Sequence, residues 1–96
     1  MSAIRRDGGR LQLSGPVHMS NARALLEQGS ALLTPEVTTV DLSGVTEVDS
    51  AAVSLLLEWQ RQAARRGQRL RFAALPESLK SLAALYGVTE LLPEEA

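Results

Sequence analysis

The sequence predicts an α/β fold, with a small mixed β-sheet covered by helices in one domain spanning residues 1–96. Three observations predict it. Strand-like runs alternate with helical periodicity in the order β-β-α-β-α-β-α, the pattern of helices packed on a sheet. The length of 96 residues suits one domain, which at this size buries about 60 to 65% of its unfolded-state surface. Hydrophobic residues form 45% and charged residues 22% of the chain, the balance of a packed domain rather than a disordered one.

The elements follow in order. Ala3 to Arg6 and Arg10 to Ser14 flank Asp7-Gly8-Gly9, which predicts an opening β-hairpin. Gly15-Pro16 is expected to end the second strand. Ser20 or Asn21 can then cap a helix running to about Leu33, with Ala22, Leu25, Leu26 and Leu32 or Leu33 as its apolar side. Thr34-Pro35 closes that helix. Val37 to Leu42 is rich in β-branched residues and lies between a proline and Ser43-Gly44, so it reads as a strand suited to a central position. The longest helix runs from Ser50 to Arg66, with Gly67 placed as its C-terminal cap and Arg65 and Arg66 favourably set against its dipole. Leu70, Phe72 and Ala74 alternate with Arg69, Arg71 and Ala73 as a further strand. Pro76 starts a last helix ending near Tyr86-Gly87, whose inward stripe is Leu79, Leu82, Ala83 and Tyr86. Leu91-Leu92 is expected to dock the tail, with residues 93–96 frayed.

Composition excludes several functions. Ten basic and eleven acidic residues leave a net charge of −1, so there is no broad cationic surface for a nucleic-acid backbone. With no Cys and one His, His18, neither disulfides nor thiolate metal sites are available, and no metal, cofactor or redox chemistry is expected. The start MSAIRRDGGR places charges where a signal peptide needs apolar residues, and the longest apolar run, Leu82 to Tyr86, is far below the roughly 18 residues of a membrane span. A cytoplasmic location without membrane insertion is the expectation. The glycines at 8, 9, 15, 29, 44, 67 and 87 form no phosphate-cradling motif, and nothing around Ser50 resembles an activated nucleophile, so the chain is not expected to be an enzyme.

The long helix is unusual. At 100° per residue, Val53, Leu56, Leu57, Ala63 and Ala64 share one face, while Ser54, Glu58, Arg61, Gln62 and Arg65 lie opposite. Ala52, Leu55 and Trp59 widen the apolar arc to about 200°, roughly twice what one sheet contact requires. Two readings of that shoulder stand: it packs on a neighbouring helix, or it forms a protein-docking surface anchored by Trp59. Ser50 is expected at the N-cap, a role worth about 1 kcal/mol. A phosphoryl group there would meet free N–H groups and the positive end of the dipole, but would also be repelled by Asp49. His18 reads as a loop residue.

The strand ending in VDLSGV, the V-D-S step into a leucine-rich helix and Arg66-Gly67 before another strand together resemble the STAS domain family of anti-sigma factor antagonists. The likeness runs from LQLSGP to SLAALYGV. Within that family, LQLSG, VTEVDSAAVSLLLEW and LAALYGV are most similar to the MlaB branch, cytoplasmic STAS subunits of Mla-type phospholipid ABC transporters. The resemblance implies a non-catalytic subunit, peripheral to the inner membrane, that binds the transporter's ATPase subunit in a complex with the permease. Through that complex it would help maintain outer-membrane lipid asymmetry. It also implies that Ser50 is the family's regulatory hydroxyl and possible phosphoacceptor, preceded by Asp49. The partner contacts expected on this basis are Asp49, Ser50, Ala51, Leu55, Glu58, Trp59 and Gln62. The alternative is an anti-sigma factor antagonist switched by phosphorylation of Ser50. Two departures weigh against it: Ala51, Ala52 and Val53 follow Ser50 where antagonists carry a second hydroxyl and Gly-Leu, and Gly15-Pro16-Val17-His18 replaces an acidic G-E-L-D-like segment.

Overall fold

The turn Gly8-Gly9 joins β1 (Ala3–Asp7) to β2 (Arg10–Val17) in an antiparallel hairpin with Asp7 opposite Arg10. Gly8 has φ +62°, which the first central position of a II′ turn demands. This is a computed structural model describing residues 2–95. After the hairpin come α1 (Met19–Leu32), β3 (Thr39–Val48), α2 (Ser50–Ala64), β4 (Arg71–Ala73), α3 (Glu77–Leu85) and a single 3₁₀ turn, Thr89–Leu91.

The sheet order is β1-β2-β3-β4, with β3 parallel to both β2 and β4. Right-handed crossovers therefore bring α1 and α2 to the same face of the sheet, where they pack on each other and α3 packs on α2. Toward the helices the strands present Ile4, Leu11, Leu13, Val40, Leu42 and Phe72, with Leu11, Val40 and Phe72 in one cross-strand row. Among the described residues no helix covers the opposite face, which is polar: Arg5 Nε donates to Gln12 Oε1 at 2.9 Å, and Arg10 lies 3.5 Å from Asp41. One face dry and one wet gives the period-2 alternation.

Strand limits differ from expectation. Gly15-Pro16 does not end β2, and Ser43-Gly44 does not end β3. β3 takes an extra residue twice relative to β2, between Gln12 and Ser14 and again between Gly15 and Pro16. These bulges accommodate Pro16, which has no N–H for a regular ladder. They also bring Gly44 so near β2 that a Cβ there would lie 2.9 Å from that of Ser14. Val37 and Thr38 precede the strand.

Helix limits are closer. α1 begins earlier than expected, with His18 rather than Ser20 or Asn21 at the cap; Asn21 instead reaches back, accepting from the His18 N–H at 2.9 Å. α2 ends in a Schellman pattern around Gly67, φ +72°, where Gly67 N–H bonds Ala64 O at 2.9 Å and Gln68 N–H bonds Ala63 O at 3.0 Å. Ala74, at φ +57°, breaks the β4 alternation and is exposed, so Leu75 turns inward instead. In α3, Leu79 and Ala83 are buried, but Tyr86 is outside the stripe because the helix ends at Leu85 and Gly87 redirects the chain. Val88 packs on the core in its place.

The segment after the 3₁₀ turn docks rather than frays. Leu92 is buried, Phe72 N–H bonds Pro93 O at 2.8 Å, and Glu95 N–H bonds Phe72 O at 2.9 Å. Of the expected frayed stretch, Ala96 lies outside the described residues.

Candidate functional site

Where β3 hands over to α2, Asp49 holds an extended backbone at φ −128° and its carboxylate caps the helix. Asp49 Oδ1 accepts from Ala51 N–H at 2.8 Å, while Oδ2 accepts from Met19 N–H, the first residue of α1, at 3.0 Å. One carboxylate thus closes the starts of both helices. The N–H of Met19 is the main reason its pKa lies below the ordinary carboxylate value, with Ala51 N–H and the neighbouring His18 adding to the effect. His18 Nε2 in turn sits 3.3 Å from Glu47 Oε1.

The cap is therefore Asp49 and not Ser50. Ser50 is the first helical residue and is exposed, which leaves its hydroxyl without a capping duty. The carboxylate one residue earlier serves the first-turn N–H, as Asp does well at this position.

The apolar shoulder of α2 is intradomain. Trp59 is 0% and Leu55 3% exposed, so neither presents a free anchor, contrary to the docking reading of Trp59. Trp59 fits over Gly29 of α1, and its indole N–H points at Leu26 O at 3.4 Å. Leu57 and Ala64, assigned to the buried face by the helical wheel, are half-buried and exposed respectively. The position of α1 rotates the buried arc toward Ala52, Leu55, Leu56, Trp59 and Ala63. Gln62 also faces inward to α1: its amide donates to Ser30 Oγ at 3.0 Å, and Ser30 Oγ donates to Leu26 O at 2.7 Å.

What remains open is a groove of about 640 Å³ between α1 and α2. Its floor contains Ala22, Leu26, Ala51 and Leu55, and charged side chains from both helices, Arg23 and Glu27 against Glu58 and Arg61, form its rim. Glu58 pairs with Arg61 and approaches Arg65 at 4.0 Å. Met19, 79% exposed, stands at the groove's end that Asp49 organises. The structure thus brings Ala51, Leu55 and Glu58 together at the groove, puts Asp49 and Ser50 at the start of the same helix, and turns Trp59 and Gln62 away into the α1 contact. The α1 half of the groove was not anticipated; Met19 immediately after His18 is its one sequence signal, an apolar side chain at a helix start. Among the described residues no helix is long and apolar enough to cross a membrane.

A one-sided mixed sheet with two right-handed helical crossovers, the second opened by Asp-Ser, defines a STAS-type α/β domain. The chain belongs to the family described as Mlab, STAS domain, whose profile matches residues 1–93. Among solved structures, it is similar to an anti-sigma factor antagonist from Mycobacterium paratuberculosis, with TM-score 0.76 and 18% identity over 98% of this chain and 83% of that one. It is also similar to the anti-sigma factor antagonist SpoIIAA in its unphosphorylated form, with TM-score 0.73 and 13% identity over 100% of this chain and 89% of that one. The Bacillus SpoIIAA in its phosphorylated form gives TM-score 0.69 and 13% identity over 100% and 92% of the two chains. At these identities the likeness concerns the fold. No curated protein sequence matches the chain.

Proposed function

We propose that this chain is a non-catalytic binding subunit of an Mla-type phospholipid ABC transporter. It docks on the transporter's ATPase subunit at the cytoplasmic side of the inner membrane, in a complex with the permease. There it supports assembly and activity, and through them outer-membrane lipid asymmetry. Membership of the MlaB STAS family supports the reading. The observation that carries it in this chain is the open α1–α2 groove beside an exposed, uncommitted Ser50 hydroxyl.

The groove would contribute burial at about 25 cal/mol per Å² of apolar area removed from water. Its mixed-sign rim would fix orientation more than affinity. Asp49 acts beneath this surface: by tying Met19 and Ala51 to one carboxylate, it sets the two helix starts relative to each other. Ser50 stands beside it, where added negative charge would face Asp49 and a docked partner at once. ATP chemistry belongs to the partner.

The test is purification of the tagged chain from its host, followed by binding of the ATPase subunit to wild type, Ser50→Ala and Ser50→Asp. An ABC ATPase in the eluate supports the proposal, and weaker binding of Ser50→Asp alone identifies a charge switch. The second reading, an anti-sigma factor antagonist, draws on the fold shared with such antagonists. It predicts a small GHKL-type kinase in the eluate instead.

A further inference from the structure

Away from the α2 groove, the chain's own residues 92–95 lie along the edge of β4 as a short added strand. Phe72 offers both backbone groups, its N–H to Pro93 O at 2.8 Å and its C=O to the Glu95 N–H at 2.9 Å, in a parallel bridge opposite Glu94. Side chains from two other elements read the acids: Lys80 Nζ of α3 is 3.2 Å from Glu94 Oε1, and Arg10 Nη2 of β2 is 2.7 Å from both carboxylate oxygens of Glu95. Leu92, 4% exposed, anchors the segment. An apolar hollow of about 220 Å³ persists beside it, lined by Leu75, Leu79 and Ala83.

We propose that this edge is a docking site for an extended acidic segment of a partner protein, of the order apolar-Pro-acid-acid, and that residues 92–95 occupy it in cis. The recognition is that of strand addition: main-chain bonds give affinity, and flanking side-chain contacts give selectivity. The reading groups come from β2, β4 and α3, so the rest of the fold positions them independently of the segment they hold. The acids of the segment are held by solvent-exposed ion pairs. Arg10, Lys80, Glu94 and Glu95 side chains remain between 37% and 56% exposed, and exposed ion pairs of this kind contribute little. A partner segment with a larger apolar residue at the Leu92 position would fill the hollow and gain contact the cis segment lacks.

In cis, the segment competes at an effective concentration on the order of millimolar. Disabling it should therefore expose the site. The experiment uses the full chain carrying Glu94→Lys and Glu95→Lys, and a labelled peptide of the native sequence of residues 89–96, read by fluorescence anisotropy. The double variant is expected to bind the peptide at least about tenfold more tightly than wild type, because the intramolecular competitor is repelled. Binding should weaken with salt and vanish for a peptide with lysines at both glutamate positions. Equal affinity of variant and wild type, or equal binding of acidic and lysine peptides, overturns the proposal. Should the double variant fail to fold, Glu94→Gln with Glu95→Gln replaces it. Amide exchange in wild type gives an independent reading: Phe72 N–H should exchange well before Val40 N–H, and exchange of both only by global unfolding overturns the idea. No ATPase subunit enters these assays, so their outcome is independent of the transporter reading.

Discussion

The indole of Trp59 occupies the space a side chain at residue 29 would need: an ideal Cβ on Gly29 would lie 2.2 Å from Trp59 Cζ2 and 2.6 Å from Cε2. Glycine in mid-helix ordinarily weakens a helix, yet here it is the notch that lets α1 lie on the widest side chain of α2. The apolar shoulder of α2 is thus matched by a hollow in its neighbour.

Gly29→Ala tests that fit. Helix propensity alone favours alanine by about 1 kcal/mol, but overpacking a close-packed site typically costs about 1 to 3 kcal/mol. A contact near 2.2 Å with a fully buried ring belongs at the upper end. The net expectation is a loss of about 2 kcal/mol, read as a Tm lower by roughly 8 to 15 °C. Adding Trp59→Leu should relieve the clash, so the double variant loses less than the sum of the two single losses. An alanine variant as stable as wild type would mean that the helices slide apart at no cost.

Asp49 predicts an acid-sensitive stability. Its folded pKa is depressed below the ordinary carboxylate value, chiefly by the Met19 N–H. A depressed carboxylate contributes stability that is fully present above its unfolded pKa and is lost as pH falls through the folded value. Asp49→Asn removes the charge and can offer an acceptor oxygen to only one of the two N–H groups. The Tm gap between wild type and Asp49→Asn should therefore be largest near neutrality and close as pH drops below about 4. A gap that is flat from neutral pH to about pH 2 would show that the carboxylate's charge is not what holds the two helix starts.

The assignment of the cap makes Ser50 and Asp49 separable. Ser50→Ala should leave stability within about 0.5 kcal/mol of wild type, as expected for an exposed position without a structural partner. Asp49→Ala should lower the Tm measurably, because it leaves Met19 and Ala51 N–H groups without their acceptor. Thermal melts of the two variants side by side decide the matter. A destabilised Ser50→Ala beside an unaffected Asp49→Ala would return the cap to the serine.

Local chemistry made much of this fold legible. Asp7-Gly8-Gly9 marked the hairpin and Gly67 marked the end of α2, because turn and cap geometry depends on a few adjacent residues. Ser43-Gly44 misled for the opposite reason: whether Gly44 turns or bulges depends on its pairing with Ser14 of another strand. The helical wheel of α2 revealed an excess of apolar surface but not its orientation, since Leu55 and Trp59 are buried by α1 while Leu57 is only partly covered. In the candidate site, the position of Asp49-Ser50 at a helix start was readable from V-D-S. The second bond of Asp49 was not, because its donor, Met19, belongs to a different helix brought near only by the sheet. The α1 wall of the groove was hidden likewise.

Met19 separates folding from docking most cleanly. Its side chain is 79% exposed at the end of the groove, while its backbone N–H, which serves Asp49, survives any substitution but proline. Met19→Gln should therefore fold with stability within about 0.5 kcal/mol of wild type. If the groove receives the ATPase subunit, losing that apolar contact should weaken binding about tenfold, or roughly 1.4 kcal/mol. Leu85→Ala supplies the control: Leu85 is 76% exposed on α3, outside the groove, and its loss should leave affinity unchanged. Titration of the ATPase subunit against the three proteins by calorimetry reads both expectations. Wild-type affinity in Met19→Gln together with a loss in Leu85→Ala would move the docking face from the α1–α2 groove to the end of α3.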